Sequence, residues 1–330
     1  MVISKTPLRI SFFGGGTDYP DYVQKYGGAV LSTSINKYVY LTVNKISEIS
    51  QYKFKVSYSK LEHCQCVSDL LHPSVRECLR FMEINEGIEI HTVADLPAQT
   101  GLGSSSSFTV GLLNALYAYR GKMIAPLKLA KDAIYVEQKL IKEKVGLQDQ
   151  CAAAVGGLNY FEFRQDGSIS YKPVVMTEQR KTEFKNNLLL FYTGMQRFAE
   201  DVLKEQIDKT QRGEVTKDLS NMREMVDEGC SILTSETDLG QFGELLHKAW
   251  LSKKSLSSAI SNSHLDEMYE KALKAGATGG KLLGAGGGGF FLFYVDSDKQ
   301  RNVRQALHDY QEVAFEFEND GSKNIFVYDN

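Results

Sequence analysis

The chain has 330 residues and a formal net charge of −3, with 42% hydrophobic and 24% charged side chains. Disorder requires low hydrophobicity with high net charge, and this balance excludes it in favour of a packed core. The near-neutral charge gives no bulk attraction to nucleic acid or a membrane surface, and no run of about 18 apolar residues offers a membrane span. The opening residues Met1 to Pro7 lack a basic stretch followed by a long apolar one, so no leader is expected. The five cysteines, Cys64, Cys66, Cys78, Cys151 and Cys230, are odd in number and fit reduced thiols better than a disulfide framework. A cytoplasmic location is therefore expected. Cys64 and Cys66 lie near His63 and His72 but lack a matching second pair, so zinc is not expected there.

In chain order, residues 3–13 alternate and are rich in β-branched and aromatic side chains, which predicts a strand running into Gly14-Gly15-Gly16. Residues 30–46 predict a long or bent strand, and 53–59 a further one. Helical spacing over 68–84 predicts a helix, 87–94 a short strand ended near Pro97, and 104–119 a helix. Pro126 opens another helix running to about residue 144, since Pro is favoured in a first turn. A hairpin over 158–163 and 168–173 turns at Asp166-Gly167. Residues 187–192 form an apolar strand, 198–275 are helical in pattern, and 281–295 are a strand pair interrupted by glycines. A helix over 299–310 and strands over 313–317 and 324–328 complete the chain. This mixture lacks regular β-α-β alternation and predicts an α+β fold. The polar stretch 177–185 marks the expected boundary between domains 1–180 and 181–330.

The most informative segment is Pro97-Ala98-Gln99-Thr100-Gly101-Leu102-Gly103-Ser104-Ser105-Ser106-Ser107. It joins a strand to a helix. Gly101 and Gly103 permit positive φ and close approach of a ligand. The helix start presents free N–H groups and partial positive charge, and the serines add hydroxyl donors. Together these make a site for a polyphosphate. The dipole alone contributes about 0.3–1 kcal/mol, so hydrogen bonds and a metal must supply most of the affinity. No Gly-x-x-x-x-Gly-Lys-Ser/Thr string occurs, and the dinucleotide fingerprint lacks its third glycine. A helix cap needs a single Ser, so four in succession after Gly-Leu-Gly exceed that need.

Residues 97–106 resemble the phosphate-binding motif of the GHMP small-molecule kinases, with Gln99 where that family usually has a small residue. Two further segments resemble the family's motifs in the same order: Pro7-Leu8-Arg9-Ile10-Ser11-Phe12-Phe13-Gly14-Gly15-Gly16-Thr17-Asp18-Tyr19 and Gly280-Lys281-Leu282-Leu283-Gly284-Ala285-Gly286-Gly287-Gly288-Gly289. Galactokinase-like members carry an acidic residue and a His before the Thr-Asp. Gly15 and Gly16 stand there in this chain, so its sugar contacts must differ. The resemblance spans nearly the whole chain. It implies an amino-terminal domain of ribosomal-protein-S5-like type, a carboxy-terminal α+β domain, and transfer of the γ-phosphate of ATP, with Mg²⁺, to a small-molecule hydroxyl in the cleft between them.

The resemblance also implies roles for individual residues. Gly101, Leu102, Gly103 and Ser104 to Ser107 would bind the nucleotide phosphates, and Ser105 and Glu137 would hold Mg²⁺. Glu137 otherwise reads as a solvated helix residue pairing with Lys131 or Lys144. Asp149, in Gln148-Asp149-Gln150-Cys151-Ala152-Ala153-Ala154, would act on the substrate hydroxyl as a base or by orienting it; its plainer role is a helix N-cap. A carboxylate is a weak base for an alcohol, so orientation with late proton transfer is expected. Arg9 would steady Asp149 or the developing charge. Asp18, with Gly16, Thr17, Gly286 and Gly287, would bind the sugar. Arg197, Lys281 or Arg164 would meet a distal phosphate, against a solvated role for each. The strings at 8–18 and 148–154 are most similar to the branch acting on anomeric hydroxyls. That implies D-glycero-D-manno-heptose 7-phosphate as the expected substrate, with another sugar such as L-fucose, or an inactive metabolite-binding regulator, as alternatives. A homodimer is compatible with the sequence.

Overall fold

The computed structural model describes residues 1–195, 205 and 207–328. Its first sheet is built around β1 (Val2–Phe13) and β2 (Gly28–Lys45), paired antiparallel with Arg9 opposite Ser34. A short helix, α1 (Pro20–Tyr26), connects them. β3 (Phe54–Ser57), β4 (Leu61–Cys64) and β5 (Ile88–Ala94) extend the sheet beyond β2. β3 runs parallel to β5, which is possible because α2 (Pro73–Phe81) lies in the connection between them.

α3 (Ser104–Tyr119) packs on β1 and β2. Next come α4 (Pro126–Tyr135), a π-helical turn (Val136–Ile141) and α5 (Gln148–Val155). The expected single helix over 126–144 is thus divided, and Lys142 at φ 65° ends it. The hairpin of β6 (Leu158–Phe163) and β7 (Ile169–Pro173) forms as expected, with β6 paired to β2. The stretch expected to mark the domain boundary contains α6 (Glu178–Asn186), capped by the Thr177 hydroxyl, which accepts from the Arg180 N–H at 3.2 Å. Only Phe184 of that helix is buried, so an apolar period could not announce it.

β8 (Leu188–Tyr192) begins the second sheet. α7 (Thr216–Thr234), α8 (Gly240–Leu256) and α9 (Ser263–Lys274) follow, then β9 (Gly279–Leu282), β10 (Phe290–Tyr294), α10 (Gln300–Ala306) and β11 (Gln311–Glu312). The sheet order is β11-β8-β10-β9. β12 (Phe317–Glu318) and β13 (Lys323–Val327) then return to the first sheet, where they pair with β2 and β1. A division at residue 180 therefore does not separate the two sheets, because the chain's last strands belong to the first. Positions 6–13 of β1 are all buried. Both faces of the strand are covered, by α3 and α5 from the first half and by α7 and α8 from the second. Among the described residues no helix is long and apolar enough to cross a membrane.

Candidate active site

Where the two halves meet, a cleft of about 820 Å³ opens between the phosphate loop, the end of β1, the start of α5 and the glycine segment after β9. The loop after β5 enters α3 through Gly103 at φ 76°, and no side chain caps the helix. Its first N–H groups therefore face the cleft without a protein acceptor from a cap. Gly101 sits at φ 82°, and a Cβ there would lie 2.4 Å from the Leu283 carbonyl. Glycine is required because this loop abuts the segment leaving β9. Gly101, Gly103, Ser104, Ser105 and Ser106 line the cleft.

Two expected phosphate contacts do not line it. Leu102 is fully buried, and its carbonyl accepts the Arg9 N–H at 3.0 Å. Ser107 donates to the Pro7 carbonyl at 2.8 Å, one helical step too far round to face a ligand. These two residues fasten the loop to β1.

Arg9, buried in β1, crosses the floor of the cleft. Its Nε and Nη2 donate to the two carboxylate oxygens of Asp149 at 2.7 and 2.8 Å, and Nη1 donates to the Gly101 carbonyl at 2.7 Å. A bidentate guanidinium fixes both the position and the plane of the carboxylate. Asp149 is not the helix cap, since Leu147 holds that position. Its carboxylate faces the cleft between the phosphate loop and the glycine segment.

The π-helical turn carries Glu137 inward to 1% exposure. Ser106 Oγ donates to its Oε2 at 3.0 Å, and Gln150 Nε2 donates to the same oxygen. Oε1 has no hydrogen-bond partner among the described residues. Burial pushes this carboxyl up to about 7, against the opposing donors Gln150 and Ser106. A buried carboxylate with one unsatisfied oxygen beside a phosphate loop fits a hard divalent cation, which takes oxygen ligands. The solvated pairing with Lys131 or Lys144 is absent. The hydroxyl at Glu137 belongs to Ser106 and not to Ser105, which is exposed at the cleft rim; helical phase points only Ser106 back at the π-turn.

Asp18 is fully buried at the cleft edge. Its carboxylate accepts the N–H groups of Gly16 at 3.0 Å, Leu147 at 3.1 Å and Gln148 at 3.2 Å. Burial raises its pKa above the ordinary carboxylate value, and nearby Asp149 adds to the rise. Asp18 thus clamps the start of α5, and a Cβ on Gly146 would strike its Oδ2 at 2.0 Å. Gly16 lines the cleft, but Thr17 does not: its hydroxyl lies between the carbonyls of Gly14 and Ala29 at 2.8 and 2.9 Å. Gly286 lines the cleft, whereas Gly287 turns away and donates its N–H to the Ile260 carbonyl at 2.9 Å. Of the basic residues, Lys281 is in the cleft wall. Arg164 pairs with Glu162 at 2.8 Å away from it, and Arg197 lies outside the described residues.

Sequence reasoning missed Lys253, which reaches the cleft from α8, and Ser11 and Gln148, whose Oγ and Oε1 are buried there without partners among the described residues. The doublet Lys253-Lys254 reads as solvated charge, and only packing separates the two.

The model of the GHMP kinases N terminal domain matches residues 70–157, and that of the GHMP kinases C terminal domain matches residues 232–312. The chain is 30% identical to the D-glycero-alpha-D-manno-heptose 7-phosphate kinase of Campylobacter jejuni, across 97% of this chain and 98% of that protein. It is 26% identical to a galactokinase of Pyrococcus furiosus, across 92% and 91% of the two chains. The crystal structure of a D-glycero-D-manno-heptose 1-phosphate kinase from Bacteroides thetaiotaomicron superposes with a TM-score of 0.81 at 25% identity, over the whole of both chains.

Proposed function

The chain belongs to the GHMP kinase family and is an ATP-dependent sugar kinase, and from this we propose that it phosphorylates the anomeric hydroxyl of D-glycero-D-manno-heptose 7-phosphate. The observation that carries the proposal is the Asp149 carboxylate, held on both oxygens by Arg9, at the junction of the phosphate loop and the glycine segment. Full-length similarity to a heptose 7-phosphate kinase supports the choice of sugar.

The loop N–H groups and the hydroxyls of Ser104 and Ser105 bind the polyphosphate of ATP. Glu137, with the Ser106 hydroxyl beside it, would hold Mg²⁺, which supplies neutralisation of phosphate charge when bound. Asp149 accepts a hydrogen bond from the anomeric hydroxyl and aims its oxygen at the γ-phosphorus. As the new O–P bond forms and the bond to ADP breaks, the hydroxyl proton passes late to Asp149. Arg9 keeps the carboxylate in place throughout. Asp18 supports the sugar end by holding Gly16 and the start of α5, with a lone pair left for a sugar hydroxyl. The cytoplasm is the proposed compartment, in keeping with five cysteines that are all free.

ATP consumption by the purified protein is to be measured against heptose 7-phosphate, D-mannose, L-fucose, D-galactose and mevalonate, with the product read by ³¹P NMR. The expected product is a 1,7-bisphosphate from the heptose alone. Phosphorylation at another position, or preference for an unphosphorylated sugar, would refute the assignment.

A further inference from the structure

Two lysines approach the cleft from the second half of the chain, Lys253 from α8 and Lys281 from β9. Both are more than nine-tenths buried, at 7% and 4% exposure. Neither forms an ion pair with a carboxylate among the described residues, and Arg9, the next cation, is committed to Asp149 and Gly101. Lys253 Nζ donates to the carbonyls of Leu282, at 3.0 Å, and Gly284. Lys281 Nζ donates to the Phe12 carbonyl at 2.7 Å. An ammonium has three N–H donors, so Lys253 keeps one and Lys281 keeps two for a ligand.

Burying an ammonium without a counter-charge is costly, and carbonyl caps offset only part of that cost. Here two such groups lie in the cleft wall, near the Arg9 guanidinium on its floor. We infer that Lys253 and Lys281 together form a phosphate subsite of the cleft, recognising a tetrahedral dianion on the side of the glycine segment. The inference deepens the sugar-kinase reading and rests on it. Burial brings Lys253 down to about 7 and Lys281 well below its ordinary value, with the neighbouring cations acting in the same direction. A bound dianion reverses that balance by stabilising both ammonium forms. Two phosphates are available to such a site: the distal phosphate of the sugar and the phosphoryl group in transfer.

Kinetics of Lys253→Gln, Lys281→Gln and the double variant separate these sources. Glutamine keeps an N–H donor for the backbone carbonyls and removes the charge. ATP titration onto each variant checks the fold and the nucleotide loop. If the sugar's phosphate is the ligand, KM for heptose 7-phosphate rises about 10- to 100-fold, with ATP KM and turnover of the unphosphorylated heptose unchanged. If the transferring group is the ligand, kcat falls by a similar factor on both sugars. Gln variants within about twofold of wild type on every parameter would overturn the subsite and leave the lysines as carbonyl caps. Wild-type inactivity on every sugar would sink the substrate assignment instead. Calorimetric titration of inorganic phosphate then decides the subsite independently: weaker binding by the double variant supports it, and equal binding overturns it.

Discussion

Glu137→Gln exchanges a buried carboxyl for an isosteric neutral group that still accepts from Ser106 and Gln150. In the ligand-free protein the Glu137 carboxyl is pushed up to about 7 by burial, whereas in the unfolded chain it titrates at the ordinary value. The raised folded value means that the native state binds the extra proton. No penalty exists below the unfolded pKa. It grows as pH rises between the two values, and is complete above about 7. Each tenfold change in the ionisation constant corresponds to about 1.4 kcal/mol, so wild type should lose about 2.5 kcal/mol relative to the variant between about pH 5 and about pH 8. Comparison at two pH values cancels the pH-independent cost of burying the new amide NH₂ where Oε1 had no partner. Urea unfolding of both proteins at both pH values, without nucleotide or divalent cation, gives the number. With Mg²⁺ and ATP the wild type should regain the deficit and the variant should not, while sugar phosphorylation by the variant falls steeply. Parallel pH profiles for the two proteins would refute the argument that this carboxyl is held unfavourably charged to await a cation.

Asp149→Asn should lower kcat by roughly 100- to 10,000-fold in the ATP-consumption assay while ATP titration stays close to wild type; equal activity removes Asp149 from the chemistry. Gly101→Ala forces a side chain into positive φ and onto the Leu283 carbonyl 2.4 Å away, which should cost at least ~1–2 kcal/mol in urea unfolding and weaken ATP binding. Unchanged stability and affinity would show that the loop does not need this approach. Thr17→Val strips the donor from the Gly14 and Ala29 carbonyls and should cost about 1–3 kcal/mol with sugar KM unaltered. A rise in sugar KM with unchanged stability would return Thr17 to the substrate site.

Much of the fold and site is written locally. The alternation at 3–13 and the Gly-Leu-Gly-Ser run specify a strand, a turn and a helix start within a few residues, because φ preference and capping act over that range. The spacing of three glycine segments marked the cleft's walls, and Arg9 stood inside one of them, with Asp149 in the separate string at 148–154. What tertiary packing alone decided is which atoms face the ligand. Four serines in succession look alike in sequence, yet helical phase sends Ser104 and Ser105 to the cleft, Ser106 to Glu137 and Ser107 to Pro7. Thr17 and Asp18 are adjacent, yet one ties a turn and the other reaches across to the start of α5. Lys253 and Lys254 are indistinguishable on α8 until β9 buries the first against the Leu282 carbonyl and leaves the second to pair with Asp266 at 3.1 Å. The return of β13 to β1 likewise depends on an edge more than 300 residues away. Local rules fix where a backbone can turn. Orientation of a side chain is settled by whichever distant surface covers the other side, and a linear pattern holds no record of that surface.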